Sequence, residues 1–181
     1  MESATDAYCI EKILDGKTEY FSVLMTRHAP SVFSLMTRMA ANREDAEELT
    51  QDTFLKAFRA LPAFRRDSSF STWLYRIAYN TALSAMRRQP AEHVSLADIA
   101  DSTNEEAEDE LAALDNDAQL ERLQKALEQL PPDDRALMLM FYMQEKTVAE
   151  ISAVTRLSPA NVKTKLHRTR KKLLLLMTDH F

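Results

Sequence analysis

The chain has 181 residues, 45% hydrophobic and 28% charged, enough for one medium domain or two small ones of ordinary globular make-up. A single glycine and six prolines exclude a fold rich in tight β-hairpins, whose turns need glycine, while abundant Ala, Leu, Met, Glu and Arg favour helix. The formal net charge of −5 speaks, as an average, against a nucleic-acid binder, but acids and bases are segregated along the chain. The predicted fold class is all-α. One cysteine, Cys9, has no intramolecular disulfide partner, the N-terminal residues lack the basic region of a signal peptide, and the longest apolar run, 173–177, is far too short for a membrane span. The expectation is a cytoplasmic protein without membrane insertion.

A first helical block is expected over residues 8–88. Within it, residues 44–61 carry Ala46, Leu49, Thr53, Ala57 and Leu61 at three- and four-residue steps, an inward stripe widened by Phe54 and Phe58. Asp45, Glu48, Gln51, Asp52 and Leu55 fall on the other side. Pro62 stops this helix, and residues 63–69 form a loop bearing Phe64, Arg65, Arg66 and Asp67.

The next helix, residues 71–88, has two faces. Leu74, Ile77, Ala78, Thr81 and Ala85 point to a core, whereas Trp73, Arg76, Asn80, Ser84 and Arg87 align on another side. A tryptophan among polar and basic neighbours, beside a loop with two arginines, suits a reader of single-stranded nucleic acid, in which bases stack on aromatics and arginines follow phosphates. The alternative for Trp73 is a core position, since tryptophan is highly buried on average.

Gln89-Pro90 ends the block, because the residue before proline is biased out of the helical region. Residues 91–116 are acidic and poor in aromatics and read as a solvated linker with a short helix near 106–114. Acids run without a base from Asp101 to Asp117. From Arg156 to Lys172 the pattern inverts, with Lys163, Lys165, Arg168, Arg170 and Lys171 between and no acid.

The second block spans residues 117–177. Leu120, Leu123, Leu127 and Leu130 form one stripe, Pro131-Pro132 breaks it, and a helix over 133–144 buries Leu137, Met140 and Phe141. The methionines sit at core spacing and read as gap-fillers. Thr147-Val148-Ala149-Glu150 is a capping box opening a short helix. Arg156-Leu157 makes a tight turn, and Ser158 with Pro159 supplies an N-cap and a first helical residue. A short helix, a turn and an N-capped basic helix make a helix-turn-helix. On the second helix Val162, Leu166, Thr169 and Leu173 face inward. Thr164, His167, Arg168 and Lys171 lie opposite, flanked by Asn161, Lys163 and Lys165, a surface suited to base edges and phosphates of a major groove.

Enzyme chemistry finds no support. His28, His93, His167 and His180 are scattered, without metal-ligand spacing, and there is no glycine-rich phosphate loop or nucleophile elbow. No cofactor and no metal are expected.

These motifs together resemble a known family. Residues 45–58 (DAEELTQDTFLKAF), then Phe64-Arg65 and residues 70–80 (FSTWLYRIAYN), are similar to the core-binding and −10 regions of extracytoplasmic-function (ECF) sigma factors of the sigma-70 family. Leu130-Pro131 with Arg135, residues 147–151 and residues 162–170 (VKTKLHRTR) resemble their −35 region. The resemblance implies a domain over residues 1–90 that binds core RNA polymerase and melts the −10 element, a linker over 91–116, and a −35-reading domain over 117–181. It implies that Asp45, Glu48, Gln51, Asp52 and Leu55 dock on the polymerase. Phe64, Arg65, Arg66, Phe70, Trp73, Arg76, Asn80 and Ser84 would open the −10 element and hold a flipped base. Asn161, Lys163, Thr164, Lys165, His167, Arg168 and Lys171 would meet the −35 duplex. The implied partners are core RNA polymerase, promoter DNA and an anti-sigma protein; the alternative is a conventional helix-turn-helix regulator that binds a symmetric operator as a dimer. Two positions depart from the family pattern: Arg156 stands where a turn glycine is usual, and Glu145-Lys146 where Glu-Gly is common. A non-glycine residue held left-handed at such a turn costs about 1 kcal/mol.

Overall fold

The structure, a computed structural model, describes residues 4–87 and 117–178. The acidic linker, its expected short helix at 106–114, and His93 and His180 lie outside the described residues. Two compact units are present; residues up to 87 belong to the first and those from 117 to the second, except Ala153–Arg156, which group with the first. Among the described residues all regular structure is helical.

In the first unit, α1 spans Asp6–Leu14, with the Thr5 hydroxyl accepting the Tyr8 amide at 3.2 Å as an N-cap. The helix ends at the chain's one glycine, Gly16, whose φ of 92° lets the Lys17 amide turn back to the Lys12 carbonyl at 2.9 Å. A 3-10 turn, Thr18–Tyr20, leads into α2 (Phe21–Met39). Helix α3 (Arg43–Ala60) is capped by Asn42, and a 3-10 turn, Leu61–Ala63, places Pro62 at the stop. Ser69 caps α4 (Phe70–Met86), accepting from the Thr72 amide at 3.2 Å.

The core of this unit joins Cys9 and Ile10 of α1, Leu24, Val32, Leu35 and Met36 of α2, Ala46, Phe54 and Ala57 of α3, and Leu74, Ala78 and Ala82 of α4. Each large apolar side chain so buried contributes about 1.5–3 kcal/mol. The expected α3 stripe is present, with Leu49 only half-buried. Phe58 is 37% exposed and meets Phe21 edge-on at 4.9 Å. Helix α4 is buried over a wider arc than its periodicity indicates: Tyr75 and Tyr79 are interior, while Ile77 and Ala85 are half-buried. Buried Tyr75 donates its hydroxyl to the Ser31 carbonyl at 3.0 Å, and burial pushes its phenol up to about 12 despite that bond.

In the second unit, α5 spans Asp117–Gln129 and α6 spans Pro132–Met138. The single helix expected over 133–144 is not continuous. It passes into a π turn, Leu139–Met143, in which the Gln144 amide reaches the Leu139 carbonyl five residues back at 3.2 Å. The widened turn leaves Phe141 half-buried, against expectation, while Leu137 and Met140 are buried as their spacing indicates. Helices α7 (Val148–Thr155) and α8 (Pro159–Thr178) complete the unit. Its core gathers Leu130, Leu137, Met140, Ile151, Val162, Leu166 and Leu173.

Candidate nucleic-acid interfaces

The loop between α3 and α4 brings three aromatic rings together. Phe64 and Trp73 lie 4.9 Å apart between centroids, Phe70 and Trp73 5.7 Å, and Phe64 and Phe70 6.1 Å. Trp73 and Phe64 are half-buried, so each keeps surface for a stacking partner. Phe70 is 4% exposed and meets the His28 ring edge-on, with centroids 5.3 Å apart. Arg65 and Arg66 are exposed at the rim. Arg66 has φ 60°, a conformation that a bulky residue adopts only where its surroundings impose it.

Beside the cradle lies a cavity of about 510 Å³, lined by Phe64, Arg66, Ser69 and Phe70 from the loop side and by Asp6 and Arg27 from α1 and α2. Asp6 pairs with Arg27 and accepts from His28 at 2.9 Å, fixing α1 to α2 at the cavity wall. Farther along α4, Asn80 and Ser84 are exposed and Arg76 is half-buried.

On α3, Glu48, Gln51, Asp52 and Leu55 form an exposed row, with Leu55 46% accessible. Asp45 begins the row but is half-buried and occupied with capping. Its amide donates to the Asn42 side chain at 2.8 Å, and its carboxylate accepts from the Asn42 amide group at 3.0 Å. The row borders a groove of about 440 Å³ lined by Pro30 and Phe33 of α2 and Glu47, Thr50 and Gln51 of α3.

The helix-turn-helix is built as its caps dictate. The Glu150 amide donates to the Thr147 hydroxyl at 3.2 Å, and the Glu150 carboxylate accepts from the Thr147 amide and hydroxyl at 2.8 Å each. Those two donors hold the Glu150 carboxyl below its ordinary range. The Ser152 hydroxyl ties the turn by donating to the Leu157 carbonyl at 2.6 Å, and Ser158 caps α8 by accepting the Asn161 amide at 3.2 Å. Arg156 sits left-handed at φ 63°, at the turn where the resemblance implies glycine. In the preceding turn the left-handed residue is Glu145, at φ 49°.

Val162, Leu166, Thr169 and Leu173 are all buried, so the opposite face of α8 is set outward. Asn161, Lys163, Thr164 and Arg168 are exposed, and His167 and Lys171 are half-buried. Lys165 departs from expectation. Its ammonium lies 2.9 Å from the Asp134 carboxylate of α6, turned back toward the unit's own core instead of outward.

Residues 24–91 match the family Sigma-70 region 2, and residues 120–173 match Sigma-70, region 4. The ECF RNA polymerase sigma-E factor of Escherichia coli strain K12 is 32% identical over 183 residues, spanning 95% of this chain and 94% of that protein. The chain belongs to the ECF sigma factor family. The RNA polymerase sigma-H factor of Pseudomonas aeruginosa is 28% identical over 176 residues, covering 93% of this chain and 91% of that one. Among solved structures, CnrH in complex with the cytosolic domain of CnrY shares the fold at a TM-score of 0.70 and 24% identity, over 97% of this chain and 99% of that one. The sigma factor RpoE of Bartonella quintana, in complex with the anti-sigma factor NepR, shares it at 0.63 and 20% identity, over 89% and 98%.

In this ECF sigma factor, sequence reasoning missed the contribution of α1 and α2 to the cavity wall, because no local pattern links Asp6 to Arg27 or His28. It also missed Asp134, one of two adjacent acids in the first turn of α6, and Arg170. Arg170 is 6% exposed, donates to the Tyr142 hydroxyl at 2.5 Å and lies over the Phe141 and Tyr142 rings. Its place in a basic run disguised a core residue.

Proposed function

We propose that this ECF sigma factor binds core RNA polymerase, places it on the −35 element of a promoter, and nucleates melting at the −10 element. In this reading residues 1–90 hold the polymerase and the −10 element, residues 91–116 link, and residues 117–181 read the −35 duplex. The exposed row Glu48, Gln51, Asp52 and Leu55, with the adjoining groove, docks on the polymerase. An unstacked −10 base enters the cradle and stacks on Phe64 and Trp73, while Arg65 and Arg66 meet the neighbouring phosphates. Stacking on protein rings offsets part of the base stacking lost on melting, a few kcal/mol per step. The N-terminal turns of α8, carrying Asn161, Lys163, Thr164 and Arg168, enter the major groove, where Asn pairs with adenine and Lys or Arg with guanine. A protein of the anti-sigma type, as found with the Bartonella quintana relative, covers the α3 face and holds the chain inactive.

One observation carries the reading: an aromatic cradle rimmed by two arginines and a capped helix-turn-helix occur in one chain, and the likeness to the sigma-E factor runs through both. The test is run-off transcription with purified bacterial core polymerase, with and without this chain, on a promoter library. Chain-dependent transcripts from templates sharing spaced −35 and −10 elements are expected. Duplex binding by the chain without any dependent transcript would overturn the reading in favour of a plain regulator.

A further inference from the structure

The cations of α8 do not share one environment. Lys163 is exposed on the outward face. Lys165 and Lys172 instead converge on a single carboxylate of α6: the Lys165 ammonium lies 2.9 Å from one oxygen of Asp134, and the Lys172 ammonium lies 3.0 Å from the other. Asp134 is 7% exposed. A carboxylate this enclosed, with one ammonium on each oxygen, holds both lysines, because releasing either leaves a buried charge short of its partner. Burial alone would raise the Asp134 carboxyl; the two lysines outweigh it and hold it below its ordinary range.

We infer that Asp134 limits the sequence-independent affinity of α8 for DNA: by holding Lys165 and Lys172 against α6, it withholds two cations from phosphates and confines the DNA-facing charge to Lys163 and its exposed neighbours. The inference rests on the reading that α8 enters the −35 major groove. Phosphate contacts strengthen binding to every duplex alike, whereas base contacts distinguish sequences. A helix that offered all its cations to phosphate would gain affinity for non-promoter DNA as fast as for the promoter, so binding to DNA at large would rise while the ratio between the two stayed the same. Asp134 is thus a positioning residue that acts through Lys165 and Lys172 without touching DNA.

The test is equilibrium binding of the full chain, assembled with core polymerase, to a promoter duplex selected by run-off transcription and to the same duplex with its −35 element scrambled, over a range of salt. Each phosphate contact contributes about 0.9 to the slope of log affinity against log salt. Lys163→Gln is expected to flatten the slope by about 0.9, while Lys165→Gln leaves it unchanged. Asp134→Asn is expected to steepen it by about 0.9 to 1.8 and to raise affinity for the promoter and the scrambled duplex by the same factor. Adding Lys165→Gln to Asp134→Asn should take back about half of that gain. The inference is overturned if Lys165→Gln alone flattens the slope as Lys163→Gln does, or if Asp134→Asn folds and leaves the slope unchanged. If Asp134→Asn does not fold, the Lys165→Gln comparison alone decides. If Lys163→Gln and Lys165→Gln both leave binding untouched, α8 is not the DNA-reading helix, and the underlying reading falls together with the inference.

Discussion

Arg66, Glu145 and Arg156 hold positive φ without being glycine, at 60°, 49° and 63°. At Arg156 the strain was expected from the family resemblance, which implies glycine at that turn. Arg156→Gly is expected to relieve about 1–2 kcal/mol of left-handed strain, offset by about 0.5–1 kcal/mol of extra chain entropy, for a net gain of roughly 0.5–1 kcal/mol. Urea unfolding measures it; a loss of stability would show that the exposed Arg156 side chain contributes a contact worth more than the strain. Trp73 carries a functional expectation. Base–aromatic stacking is worth about 1–3 kcal/mol per base, so Trp73→Ala should weaken holoenzyme binding to a single-stranded −10 oligonucleotide about 5- to 150-fold. Trp73→Phe should restore most of it. An unchanged affinity in the alanine variant would make Trp73 a core residue only. The sequence left those two roles open, and the structure shows why: Trp73 is half-buried, braced by Phe64 and Phe70.

Elements were legible where their signals are local. The capping box at Thr147, the Ser158 cap, the Pro62 stop and the buried stripe of α8 all lie within a few residues of the structure they specify. Signals that join distant residues were not legible. Asp134 meets partners 31 and 38 positions away, and nothing near it announces them. The π turn at Leu139–Met143 was hidden because it keeps an unbroken apolar helical sequence while adding one residue to a turn. Ser158→Ala should remove one α8 cap and cost about 1 kcal/mol, read from chemical denaturation of the second unit's signal. A pH dependence follows from Asp134. Its folded carboxyl sits below the ordinary 3.8, so the stability it confers is complete above that value and is lost as pH falls through the lower folded value. The stability gap between the native chain and Asp134→Asn should therefore narrow in acid, and a gap independent of pH would contradict the two-lysine clamp.

At the scale of the whole molecule, the all-helical composition and the segregated charge were visible in the sequence because one glycine and the inverted acidic and basic runs are global properties. The surfaces were legible in outline: the α3 row and the outward face of α8 lie where periodicity puts them. The burial of Phe70 and the pairing of Lys165 with Asp134 were not legible, since a helical wheel assigns direction but not the length or destination of a side chain. The central claim is that one chain reads two promoter elements through two separate surfaces. Independent sites add in free energy, and a substitution loses its effect once the DNA feature it reads has been removed. The most direct measurement is therefore run-off transcription by holoenzymes carrying Trp73→Ala or Asn161→Ala, on templates with intact, −10-scrambled or −35-scrambled promoters. Asn161→Ala is expected to lower transcription from the intact and −10-scrambled templates and to have no further effect once −35 is scrambled. Trp73→Ala should show the reverse dependence. Equal defects on every template, or transcription that never depends on the chain, would contradict the claim.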